Sequence, residues 1–209
     1  MRRVQQTALI LAFTAFLSAC GAPRPVSYYV LDVAPSSVPA SAGQQFPVSL
    51  SVGRIATTHL YRDDRLVFGS GPVELGTYEY ERWAEPPADM VQDILITALR
   101  SSGQYRSVSR MNSAVRADYI IRGRLFALYE VDKPKLVGRF SMQLELVDPK
   151  SGMTIWTDSY SQDEPVKGKK VQDVVEALDT GVRGGVEHLV GGLGEYFAAH
   201  PPQQPSNGH

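Results

Sequence analysis

Cysteine is all but absent: Cys20 is the one thiol in 209 residues, so no disulfide can form within the chain and its stability must come from an ordinary core. Long hydrophobic runs are missing as well. The longest uncharged apolar stretch, Ala8 to Leu17, is about half of the ~20 residues that a helix needs to cross a bilayer, which argues against a permanent membrane span. Neither sign of charge dominates, with 21 basic and 22 acidic residues and a formal net charge of −1; nucleic-acid binding, which wants a strongly basic face, is therefore not expected. The short cluster Lys167-Gly168-Lys169-Lys170 is flanked by Asp163, Glu164 and Asp173 and reads as a solvated loop. The four histidines, His59, His188, His200 and His209, are scattered. None pairs at metal-ligand spacing with a carboxylate or cysteine, so no metal is expected. What remains, 43% hydrophobic and 21% charged residues, is the composition of a folded globular chain.

The N-terminus carries the most specific signal. Arg2 and Arg3 precede the apolar run, and the small residues Ser18 and Ala19 follow it, which is the pattern of an export signal. Val4, Gln5 and Gln6 after the two arginines disfavour the twin-arginine route. Leu17-Ser18-Ala19-Cys20 resembles the bacterial lipobox, in which the signal, here Met1 to Ala19, is cleaved before the cysteine. The resemblance implies two or three acyl chains on Cys20. At roughly 0.8 kcal/mol per buried methylene, one chain binds marginally and two or more hold stably. The residues after the cysteine, Gly21 and Ala22, include no aspartate, which favours the outer membrane over the inner.

A short stretch, Gly21 to Ser27, leads to Tyr28-Tyr29-Val30-Leu31, which has strand composition. Seven extended residues reach at most roughly 23 Å, so the folded body is expected close to its membrane. Ala34 to Gln45 reads as a loop. Val48, Leu50 and Val52 alternate with polar neighbours as a half-buried strand. Further strands are expected near Leu66 to Phe68 and Val73 to Tyr80, separated by the turn signal Gly69-Ser70-Gly71-Pro72. Pro86 and Pro87 suit a helix entrance, and Met90, Val91, Ile94, Leu95, Ala98 and Leu99 form its apolar stripe up to Gly103. Tyr105 to Ser109 is a short strand candidate. Three longer strands follow, about Asp118 to Val131, Leu136 to Val147 and Thr154 to Gln162, the last two joined through Asp148-Pro149-Lys150-Ser151-Gly152 as an antiparallel hairpin.

A second long helix is expected from Lys170 to Ala199. Its glycines, Gly181, Gly184, Gly185, Gly191, Gly192 and Gly194, each cost up to about 1 kcal/mol against alanine. They imply either close packing of two backbones or a kink near Gly191. The tail His200 to His209 is expected to be disordered. Together these elements make a single α+β domain, residues 28 to 199, with a mainly antiparallel sheet and two principal helices packed on it.

Catalytic signatures are missing. Gly69-Ser70-Gly71 lacks the spacing of a nucleophile elbow, Gly168-Lys169-Lys170 lacks the first glycine and the magnesium-binding hydroxyl of a phosphate loop, and Gly191-Gly192-Leu193-Gly194 is no dinucleotide fingerprint. Asp63-Asp64 and Asp163-Glu164 are adjacent carboxylates in expected loops, read as solvated turns. No catalytic residue and no cofactor is expected.

The order and spacing of several pieces resemble the ABC-type transport auxiliary lipoprotein family, which includes the PqiC-like lipoproteins. These pieces are the lipobox Leu17 to Cys20, Tyr28 to Leu31, Leu60-Tyr61-Arg62-Asp63-Asp64-Arg65-Leu66-Val67-Phe68, Tyr80-Glu81-Arg82-Trp83-Ala84-Glu85-Pro86-Pro87, Ala117 to Ile121, and Thr154-Ile155-Trp156. The segment Gly69 to Gly76 departs from the pattern, being longer than the usual link. The resemblance implies a non-enzymatic outer-membrane component that docks a periplasmic MCE-domain protein, itself working with an ABC permease and ATPase, and that aids phospholipid movement between membranes. It leaves a homo-oligomer open.

Within that picture Trp83, beside Arg82 and just before a proline-led helix, reads either as an exposed partner anchor or as a side chain packed under the helix start. Two other functions compete with transport. A lipoprotein that regulates a peptidoglycan enzyme would usually carry a long linker, which this chain lacks, and a lipid-anchored hydrolase would need a catalytic set.

Overall fold

The structure is a computed structural model that describes residues 24–33, 45–69, 73–111 and 116–202. Nine strands and two long helices follow in the order β1 (Ser27–Tyr29), β2 (Phe46–Val52), β3 (Ala56–Thr57), a 3-10 turn (His59–Tyr61), β4 (Arg65–Gly69), β5 (Leu75–Trp83), α1 (Pro87–Ser101), β6 (Tyr105–Arg110), β7 (Tyr119–Val131), β8 (Val137–Val147), β9 (Thr154–Pro165) and α2 (Val171–Ala199). The α+β class is as expected.

All nine strands join one sheet, and β7 is its spine. Along one edge β7 pairs with β8 over its whole length, antiparallel, and β8 pairs in turn with β9. Along the other edge three short strands lie end to end, each parallel to β7: β2 at Tyr119 to Ile121, β3 at Arg124 and Leu125, and β4 at Glu130 and Val131. The long ladders are antiparallel, as the hairpin signals implied. Parallel pairing, which has no turn residue to announce it, completes the sheet into a mixed one.

One junction shows how a parallel start is pinned. The Asp118 carboxylate accepts from the Ser49 amide and hydroxyl, each at 2.7 Å, and from Arg106 at 2.7 Å. The Asp118 amide returns a bond of 3.0 Å to the Ser49 carbonyl. Burial pushes this carboxyl's pKa up, but the Ser49 and Arg106 donors outweigh it and the net shift is downward.

Both helices cover one face of the sheet. Along β8, Phe140, Met142, Leu144 and Leu146 are fully buried against α2, whose facing stripe includes Leu178, Val182, Leu189 and Leu193. The alternate residues Arg139, Ser141, Gln143 and Glu145 lie on the other, wetter face, the period-two split that a sheet with one covered face requires. The β8–β9 hairpin turns as its sequence implied, with Gly152 at φ +72° and the Asp148 carboxylate accepting from the Lys150 amide and the Ser151 hydroxyl, each at 2.8 Å.

The glycines of α2 resolve the choice between close packing and a kink. The helix is continuous from Val171 to Ala199. Gly181 and Gly185 let it sit directly on Phe140, and on the facing strand a Cβ at Gly138 would come within 2.9 Å of the Leu178 backbone nitrogen. A Cβ at Gly191, by contrast, would meet nothing within 4 Å beyond its own stretch of helix. Gly138→Ala is therefore expected to destabilise by about 1–3 kcal/mol through overpacking, whereas Gly191→Ala should stabilise by up to about 1 kcal/mol through helix propensity. Denaturant unfolding of the two variants separates them; equal shifts would contradict this packing.

On the wet face Arg139 grips Asp163 with two bonds of 2.6 Å. That bonding is the main cause of a lowered Asp163 pKa. A depressed carboxyl pKa stabilises the fold above the ordinary value of 3.8 and loses that contribution as pH falls through the folded-state value. Carbon-detected carboxyl titration should place Asp163 below 3.8 in the parent and return it toward that value in Arg139→Ala.

Candidate functional site

Cys20, the expected lipidation site, and Ala19, on the other side of the expected cleavage point, lie outside the described residues, as do residues 203–209 of the tail. The chain enters view at Arg24, and from there it is already seated. Arg24 lies over the Tyr80 ring at 5.1 Å and 3.9 Å from the Glu81 carboxylate. The β1 strand then pairs parallel to β5 in the register Ser27 with Glu81 and Tyr29 with Trp83. The Tyr29 hydroxyl donates to Glu81 at 2.8 Å, and the Ala84 amide donates to the Tyr29 carbonyl at 2.7 Å. Burial, together with the bond to Glu81, raises the Tyr29 pKa. Beyond the strand, Leu31 and Val33 pack on the core. The segment from Arg24 to Val33 is thus a strap fastened to β5 and to the core.

The strap ends beside the two residues singled out as a partner anchor. Arg82 donates to the Asp64 carboxylate at 2.6 Å, and the Trp83 amide donates to the Asp64 carbonyl at 2.5 Å. Trp83 is only 1% exposed, so it packs inside the fold and is not offered to a partner. Its surroundings explain the burial: the residue closes β5, with β1 on one side and β4 on the other, and α1 begins four residues later. Its indole nitrogen has no hydrogen-bond partner, so here the ring serves as apolar volume.

Next to this corner an open groove of about 670 Å³ runs between Arg54, Thr57, Tyr61 and Arg62 on one side and Pro86, Ala88 and Asp89 at the start of α1 on the other. Tyr61 is 2% exposed, and burial lifts its pKa to about 12. Arg54 and Arg62 are exposed at the rim, and no ion pair engages either of them among the described residues. Sequence reasoning passed over both, because two arginines eight positions apart meet only through the 3-10 turn. Among the described residues no cluster of three metal-ligating side chains occurs. None of the helices described is long and apolar enough to cross a membrane.

The protein is a strap-seated α+β domain, and comparison with known proteins agrees. The chain belongs to the ABC-type transport auxiliary lipoprotein component family, whose family model matches residues 29–189. It is therefore an auxiliary lipoprotein component of ABC-type transport, a class anchored in the cell envelope. Among solved structures it is similar to protein XCC0632 from Xanthomonas campestris, with a TM-score of 0.72 at 18% identity over 83% of this chain and 99% of that one. It is also similar to the hypothetical protein CT253 from Chlamydia trachomatis, with a TM-score of 0.52 at 8% identity over 73% of this chain and 99% of that one. At such identities the likeness is one of fold. No curated protein matches.

Truncating the buried ring tests its placement. Trp83→Ala should cost about 3–5 kcal/mol of folding stability, read by denaturant unfolding, and Trp83→Phe clearly less. A fully stable Trp83→Ala protein would restore the partner-anchor reading.

Proposed function

We propose that this protein is a lipid-anchored, outer-membrane component of an intermembrane lipid transport system of the MCE type, with acyl chains on Cys20 and a signal peptide ending at Ala19. It catalyses no reaction. It holds a docking surface for the periplasmic MCE-domain protein at the membrane where phospholipid enters or leaves, while the permease and ATPase act from the other membrane.

One observation carries the reading: the body is fastened to its own N-terminal strap from Arg24 onward, so only four chain steps, through Gly21, Ala22 and Pro23, lead from the first fixed residue to Cys20. At 3.3–3.6 Å per residue those four reach at most about 14 Å. A protein with so short a leash works at the bilayer surface and not across the periplasm, which suits a dock for a bridging partner. It disfavours regulation of a distant peptidoglycan enzyme. Membership of the auxiliary lipoprotein family supports the transport context.

The test is co-purification of the tagged full-length chain from detergent-solubilised envelopes, beside a Cys20→Ser variant. The parent should fractionate with the outer membrane and bring down an MCE-domain protein; the variant should leave the membrane fraction, retain its signal sequence and lose the partner. A Cys20→Ser product that is processed, sediments with membranes and keeps its partner would refute the proposal.

A further inference from the structure

The strand registers bring five strand ends level at one end of the sheet. Leu75 pairs with Gly69, Gly69 with Val131, Val131 with Val137, and Val137 with Pro165. Beyond this row, among the described residues, lie the β7–β8 hairpin connection from Asp132 to Leu136 and the β9–α2 loop from Val166 to Lys170. The Val166 amide donates to the Leu136 carbonyl at 3.2 Å, so these two loops are joined side by side. They carry Lys133, Lys135, Lys167, Lys169 and Lys170, five of the six lysines in the whole chain. All five are exposed, and no lysine takes part in an ion pair among the described residues.

The nearby acids are largely engaged elsewhere. Asp163 is held by Arg139, Asp173 accepts the Lys170 amide at 2.7 Å, and Glu130 accepts the Tyr78 hydroxyl. Asp132 and Glu164 are half-buried, and Glu74 is exposed. At the same end Val73 stands 94% exposed, an apolar side chain beyond the end of β5.

The N-terminal strap points toward this end. Because β1 runs parallel to β5, its N-terminal side faces the start of β5, which is Leu75. Along β4 the register runs from Arg65 opposite Arg82 to Gly69 opposite Leu75, so the level of the seated strap and that of Leu75 lie roughly 13 Å apart at ~3.3 Å per strand residue. From Arg24, the first seated residue, the four chain steps back to Cys20 reach at most about 14 Å. The lipid-bearing residue can therefore stand level with the lysine row.

We propose that the loops carrying these five lysines form a second membrane contact, a docking face for the anionic phospholipid headgroups of the bilayer in which the protein is anchored, with Val73 dipping into the interface beside them. This rests on the reading of Cys20 as the anchor. The acyl chains keep the protein on the membrane and the lysines set its orientation, pressing the level row of strand ends against the surface. Each lysine close to an anionic surface multiplies binding by about fivefold, and the attraction is screened by salt. Sequence alone hid this face, because Lys133 and Lys135 are more than thirty residues from the Lys167 cluster.

Lys150, in the β8–β9 turn at the opposite end of the sheet, is a built-in reference. The lipidated full-length protein is incubated with vesicles of phosphatidylcholine alone, or with about one-third phosphatidylglycerol. Flotation is measured, and an amine-reactive reagent footprints every lysine. The expected result is flotation with both vesicles and, on the anionic ones only, acylation of the five lysines slowed severalfold relative to Lys150, with the protection lost in high salt. Flotation with anionic vesicles alone, with the same protection, would support the lysine face while overturning the lipid anchor. Flotation with both vesicles and no protection would overturn the face and leave the anchor standing. Equal protection on both vesicles would overturn the assignment to anionic headgroups, as would protection that appears only when an acidic protein is added. Failure to float with either would overturn both.

Discussion

The parallel seating of the Arg24 to Tyr29 strap on β5 is the constraint on which the functional geometry depends. A three-residue strand contributes little stability by itself. Here it is tied down by the cation over Tyr80, the bond from Tyr29 to Glu81 and the packing of Leu31 and Val33 on the core. Those contacts fix the direction in which the chain leaves the fold. On the proposal that Cys20 carries the anchor, a folded body that begins this soon after it has little freedom to reorient, and strand polarity selects the membrane side of the molecule.

The body that the strap is tied to owes its rigidity to β7. With β8 along one edge and β2, β3 and β4 laid end to end along the other, one long strand holds together segments that would otherwise be short and marginal. The same arrangement aligns the strand ends into the level row at which the lysine loops emerge. On the covered face of the sheet α2 lies close enough for Gly181 and Gly185 to sit on Phe140, so helix and sheet are packed without a gap. Such a body transmits position.

Much of this was legible in the sequence. Period-two alternation along Phe140 to Leu146, the Asp148 to Gly152 turn and the three-and-four spacing of α1 and α2 all found their elements, because local periodicity records which face is buried. The parallel pairs were not legible, since parallel partners come from distant segments with no shared turn. Trp83 illustrates the limit for sites. A tryptophan beside an arginine has the same letters whether it is exposed or enclosed, and only the meeting of β1, β4 and α1 around it decides. The lysine face shows the converse: two loops that each read as solvated become one charged surface through the register of Val137 with Pro165.

The central claim is that a short strap sets one chosen end of the fold directly on the membrane. Neutron reflectometry of the lipidated protein on a supported bilayer containing anionic lipid measures this without mutation. The account predicts a protein layer that begins at the headgroups, with any water gap below about 15 Å and the lysine loops on the bilayer side. A wider hydrated gap, or a layer oriented with the Lys150 turn toward the bilayer, would contradict it.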